Sequence, residues 1–202
     1  GKTAQERAAR RHAEFMRLSN HFIDSLRGIE TLRLFGRSRA HAGRIYSVSY
    51  NGTITTAGGN TDLLSIQPAD DKPVKLRGFR LSQISEGGDA AEEGLRVTVK
   101  RLAATFTVGS GGSAVTPAPM DSANTAAGCT TRCNDTTVAT SSGATTVMEE
   151  IGWNERNSPC DFWYPDAEFS PKVKQGEGLV VSLETTLVDD MTGCFTFWLE
   201  EE

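Results

Sequence analysis

Residues 95–102 read Leu95-Arg96-Val97-Thr98-Val99-Lys100-Arg101-Leu102, and the exchange of apolar and polar side chains along this run decides the fold class. Successive side chains of an extended strand point to opposite faces. The pattern therefore predicts a half-buried strand with Leu95, Val97 and Val99 on one side and Arg96, Thr98 and Lys100 on the other. Working outward, Tyr46, Val48 and Tyr50 share a face of a second such run, with Asn51-Gly52 after it as a tight-turn dipeptide. Further strands are expected at residues 61–66, 74–85, 144–153, 178–188 and 194–200. In the last of these, Phe195, Phe197 and Leu199 face one way, and Thr196 and Trp198 the other.

Turn chemistry separates these runs, as in the cluster from Pro68 to Pro73. About seven short strands with turns between them predict a mainly β chain, an antiparallel β-sandwich or jelly roll. The helix-like candidate in this part is short, at residues 89–93. A Gly-, Ser-, Thr- and Ala-rich stretch over residues 109–140 reads as a long low-complexity excursion. Excursions of that length are functional or mobile: in an assembly protein they reach onto a neighbour, and the plainer reading is a surface loop.

Composition breaks near Gly43. The first 43 residues carry nine basic and four acidic side chains, a net +5, whereas the rest carries 12 basic and 22 acidic, a net −10. His12, His21 and His41 precede the break, and all four cysteines, all seven prolines and all three tryptophans follow it. This predicts two parts, residues 1–42 and 43–202. The acidic balance of the second argues against nucleic acid, whose phosphates need clustered Lys and Arg. No apolar run approaches the roughly 18 residues of a membrane span, and a soluble protein assembled in the cytosol is expected.

In the first part, Phe15, Leu18, Phe22, Leu26, Ile29 and Leu32 recur at steps of three and four, the signature of an amphipathic helix. Thr3 and Glu6 make a capping box at its start, and Gly36 a stop. The stretch from Arg17 to Arg37, with His21-Phe22-Ile23-Asp24 and Gly28-Ile29-Glu30-Thr31-Leu32, closely resembles a segment of bacterial ABC exporters. Within that family it is similar to the membrane subunit of the thiol exporter required for cytochrome bd assembly. The resemblance implies a cytoplasmic helix extension and carries over no activity, since the membrane spans and nucleotide-binding domain are absent. Such a piece reads as a fusion, a gene-boundary accident or a cloning remnant, so that a non-functional chimera is one reading of the chain. A natural helical arm is the alternative.

No catalytic centre is expected. The second part lacks histidine, so Ser-His-Asp and Cys-His arrangements are unavailable there. Adjacent acids such as Asp70-Asp71, Glu92-Glu93, Glu149-Glu150 and Asp189-Asp190 point to opposite faces if on strands. No cofactor or metal is expected either. Cys129 and Cys133 have the spacing of half a zinc site, but the other half would fall to Cys160 and Cys194, single and far apart. A disulfide involving Cys129 and Cys133, and ordinary reduced thiols, are the other readings.

The aromatic residues Trp153, Phe162, Trp163 and Tyr164 form a candidate partner-binding set, either a subunit contact or a sugar platform. Packing at one end of the sandwich is the plainer account.

Residues 66–74 (Ile66-Gln67-Pro68-Ala69-Asp70-Asp71-Lys72-Pro73-Val74) and 87–96 carry a resemblance, running over residues 43–202, to a family of small head- or decoration-type proteins from tailed-phage structural gene sets. The resemblance implies a virion component, assembled in the host cytoplasm, whose partners are capsid protein and copies of itself. It implies no catalytic residues. A decoration or stabilising subunit is the leading expectation, and a glycan- or receptor-binding module the alternative.

Overall fold

The computed structural model describes residues 43–55, 60–84, 93–154 and 159–202. The chain divides into two units, Gly1–Ala42 and Gly43–Glu202. The expected N-terminal helix lies outside the described residues, as does the helix-like stretch at 89–93 apart from Glu93.

The described residues form two antiparallel sheets. Their strands are β1 (Arg44–Ile54), β2 (Thr61–Gln67), β3 (Val74–Gln83), β4 (Gly94–Leu102), β5 (Ser113–Ala114) and β6 (Ala118–Pro119), then β7 (Thr130–Cys133), β8 (Thr145–Asn154), β9 (Cys160–Trp163), β10 (Lys172–Val173), β11 (Gly178–Leu183) and β12 (Met191–Glu201). Sheet A runs β10-β3-β12-β1-β6, with β9 also on β3, and sheet B runs β5-β7-β2-β11-β4-β8.

Leaving aside β10 and the short strands β5 to β7, the pairing is nested. The first strand, β1, pairs with the last, β12, and β2 pairs with β11. Further inward, β3 pairs with β9 and β4 with β8. The chain is thus a doubled ribbon whose halves run antiparallel and whose successive strands alternate between sheets.

Period-two patterning supplies the core. Val48, Phe79, Leu81, Phe195, Phe197 and Leu199 from sheet A meet Leu64, Ile66, Val97, Val99, Leu179 and Val181 from sheet B in one cluster of fully buried side chains. Burial of each such side chain contributes about 1.5–3 kcal/mol. The expected faces of β4 and β12 are those observed: Leu95, Val97 and Val99 are buried, and Trp198 points away from Phe197 and Leu199.

Asn51-Gly52 is not a turn. β1 continues through it to Ile54, with Asn51 opposite Cys194 and Gly52 opposite Gly193. The glycines make room for rings, because Tyr50 and Phe195, the neighbouring cross-strand pair, stack at 5.1 Å. A Cβ on Gly193 would lie 2.5 Å from Cζ of Phe195. Glycine within a strand marks such close approaches as well as turns.

The stretch read as a low-complexity excursion is ordered by pairing to both sheets. β5 and β7 extend sheet B beside β2, and β6 lies on β1 in sheet A. Ala139 of this segment, with Phe106 and Val108 just before it, joins Leu102 and Val180 in a second, smaller apolar cluster. Val180 alternates with the core residues Leu179 and Val181, so the segment covers the outer face of sheet B.

Two buried carboxylates pin the segment. Asp62 accepts hydrogen bonds from Ser182 Oγ at 2.5 Å and the Ala139 N–H at 2.6 Å. Asp135, fully buried, pairs with Arg132 at 2.7 Å and accepts the Gly112 N–H at 3.0 Å. Burial raises the Asp62 carboxyl above its ordinary range, against the Ser182 and Ala139 hydrogen bonds, which lower it.

Candidate functional site

Strand β9 sorts the candidate aromatics by its pleat. Phe162 and Phe79 are cross-strand partners, as are Trp163 and Gly78, so neighbours on β9 face opposite sides of sheet A. Phe162 is half-buried against the core, its ring 5.4 Å from Phe79, and Tyr164 meets Phe162 edge-on at 5.0 Å. Trp153, on β8, is 3% exposed and belongs to the same core. Burial, with the nearby Glu149 charge, pushes the Tyr164 phenol above its ordinary range. Among the described residues, Trp153 Nε1 and Tyr164 Oη have no hydrogen-bond partner.

Trp163 is the member of the set that faces solvent, at 51% exposure. It leans across β3 to stack on Trp198 of β12, the ring centroids 4.3 Å apart and the planes 28° from parallel. Gly78, on the strand between them, permits this. A Cβ there would lie 2.5 Å from the Phe162 carbonyl oxygen and 2.8 Å from Cε3 of Trp163. Aromatic pairs of this kind contribute about 0.5–1.5 kcal/mol beyond the area they bury.

The surroundings of the stacked indoles are polar. Two residues along from Trp163 and on the same face, Asp161 accepts two hydrogen bonds from Arg80, at 2.5 and 3.1 Å. The Asp161 hydrogen bond and charge raise the Arg80 guanidinium above its usual range. Ser49 Oγ donates to Thr196 Oγ1 at 3.0 Å, and Thr53 and Thr192 hydroxyls lie 2.8 Å apart on the same side. Sequence reasoning did not include Trp198 in the set. The signal was present in its outward position between Phe197 and Leu199.

Cys129 and Cys133 are free buried thiols, so the disulfide weighed from their spacing is not formed. β7 runs from Thr130 to Cys133, and an extended chain advances about 3.3 Å per residue, which sets these two residues roughly 13 Å apart. A disulfide requires Cα atoms within about 7 Å. Among the described residues, no group of three or more His, Cys, Asp or Glu is placed to hold a metal ion, and no helix is long and apolar enough to cross a membrane.

No protein-family model matches the chain. Its N-terminal segment is similar to the glutathione/L-cysteine transport system ATP-binding/permease protein CydC of Bacillus subtilis (strain 168), at 53% identity over 49 residues. That match spans 24% of this chain and 9% of the relative. Among solved structures, infectious bursal disease virus, Gx strain, aligns over 78% of this chain and 42% of its own at 14% identity, with a TM-score of 0.17. A superposition that loose carries no argument about fold or role.

Proposed function

We propose that the chain is a non-catalytic virion subunit whose residues 43–202 form a jelly roll. In this reading it decorates or stabilises a phage capsid through contacts with capsid protein and with copies of itself. One observation carries the reading: β1 pairs with β12, β2 with β11, β3 with β9 and β4 with β8. That nesting is the winding order of a jelly roll, an architecture that recurs in viral capsid and lectin domains.

The edge strand β8 supports the part about association. It ends sheet B, is ten residues long, and exposes Val147 and Met148 at 46% and 39%. A long strand edge with apolar side chains is a template for another chain. The net −10 of residues 44–202 favours a protein partner over nucleic acid.

The test adds the purified full chain to phage capsids that lack it. Co-sedimentation, and added density at regular capsid positions by electron microscopy, are the expected results. A chain that stays monomeric by light scattering and fails to sediment with capsids would refute the assignment.

A further inference from the structure

We propose that the outer face of sheet A around Trp163 and Trp198 is a binding platform for a neutral carbohydrate. This goes beyond the assembly role and does not rest on it.

Three observations converge. A half-exposed indole is held against a second indole at 4.3 Å, so its free face is fixed in orientation instead of sampling rotamers. A ligand that stacks there loses little side-chain entropy from the protein, which is the advantage of a pre-ordered site. The C–H face of a pyranose ring is a flat apolar surface suited to such stacking.

Next to the ring lie hydrogen-bonding groups at the reach of a neighbouring sugar hydroxyl. Asp161 and Arg80 are 38% and 51% exposed at the side chain, with lone pairs and N–H groups left over from their mutual pairing. Beyond them is the Ser49–Thr196 hydroxyl pair.

The charge of the platform selects the class of ligand. Arg80 and Asp161 neutralise each other, and Arg77, next to Gly78 in sequence, is paired with Glu200, so the charges beside the indoles are compensated and offer no unpaired charge to an anionic or cationic ligand. An aromatic stack bordered by compensated charges and hydroxyls complements a neutral polyhydroxylated chain. A purely apolar partner would have to strip water from Arg80, Asp161 and Thr196 without repaying those hydrogen bonds.

The experiment uses the full chain in affinity gel electrophoresis against soluble neutral polysaccharides (hydroxyethylcellulose, xylan, galactomannan and dextran), followed by an array of neutral oligosaccharides. Retardation by at least one neutral glycan is expected, weakened at least tenfold by Trp163→Ala and also by Asp161→Asn. Val188→Ser, which alters an exposed apolar side chain in the loop before β12, should leave it unchanged. Near-ultraviolet circular dichroism and a thermal melt establish that each variant is folded, and Asp161→Asn serves should Trp163→Ala not fold. Absence of binding to every neutral glycan overturns the proposal. Binding that survives both Trp163→Ala and Asp161→Asn in folded protein does so too. If Trp163→Ala removes capsid association and the wild type shows no glycan binding, the face is a protein contact and the proposal fails while the assembly role stands.

Discussion

Cys129 donates its backbone N–H to Oε1 of Glu201 at 2.9 Å. Gly128 donates to both oxygens of the same carboxylate, at 2.8 and 3.1 Å. Glu201 is 2% exposed, so β12 of sheet A holds the entry to β7 of sheet B through a buried carboxylate. Lys72 Nζ stands 3.8 Å from it. Glu200 and Glu202 are paired as well, with Arg77 at 3.6 Å, and with Lys75 at 2.5 Å and Lys172. Three consecutive acids are thereby each given a cation.

Glu201→Ala should destabilise the fold by about 1–3 kcal/mol, because two backbone N–H groups lose their acceptor in a buried place. Glu201→Gln keeps an acceptor oxygen and should cost less. Urea denaturation followed by tryptophan fluorescence measures both. Equal stability of Glu201→Ala and wild type would show that the junction carries no weight.

Acid sensitivity should depend on the lysines around Glu202. The hydrogen bond from Lys172, then that from Lys75, holds the Glu202 carboxyl below the ordinary carboxylate range. A depressed carboxyl contributes stability that is complete above its unfolded pKa and is lost as pH falls through the folded one. The Tm difference between wild type and Lys75→Met/Lys172→Met should therefore be largest near neutrality and shrink below about pH 4.5, the carboxyl reference range. A difference constant from pH 7 to pH 3 counts against this.

Thiol labelling should separate the cysteines. Burial, then the nearby Glu201 charge, pushes Cys129 up to about 12. Burial, then Asp135, pushes Cys133 up to about 12. Since the thiolate is the reactive species, neither should react with Ellman's reagent in native protein at pH 8, whereas exposed Cys194 should. Both should become reactive in denaturant. Fast native labelling of Cys129 or Cys133, located by mass spectrometry, would contradict the placement.

Gly78→Ala should lower stability by about 1–3 kcal/mol, the usual cost of inserting a methyl group where there is no room. The new methyl would meet the Phe162 carbonyl and the Trp163 ring, so β9 must shift. The change should also reduce the far-ultraviolet exciton couplet of the Trp163–Trp198 stack. Retention of that signal at wild-type stability would show that the two indoles do not depend on the gap at Gly78.

Most of the sheet structure was legible because its signal is local. The alternation at Leu95, Val97 and Val99, and that at Phe195, Phe197 and Leu199, names both strand and buried face. What was not legible depends on partners distant in sequence. β7 is a strand because Ser65 and Ile66 offer it an edge, and nothing in Thr130-Thr131-Arg132-Cys133 alone says so. Asn51-Gly52 carries turn chemistry, but eleven consecutive pairs with β12 outweigh it.

The candidate site was half legible. Trp163 stands out in the sequence, but a four-residue strand such as Cys160–Trp163 is too short to read there, so Tyr164 and Trp153 fall into one group with it. The strand's alternation, with Asp161 and Trp163 on one side and Phe162 and Tyr164 on the other, separates them. Pairing Trp163 with Trp198 required knowing that β3 lies between β9 and β12.

The nested ribbon also governs how the molecule is made. β1 leaves the ribosome before its main neighbour, β12, with the other described strands synthesised between them, and Arg44 waits for Glu201. Loop-closure entropy must be lost before the non-local contacts offset it, so a fold wound this way forms slowly for its size. Until then the nascent chain displays Tyr46 and Val48 on an unmated strand, the condition under which chaperones capture a polypeptide.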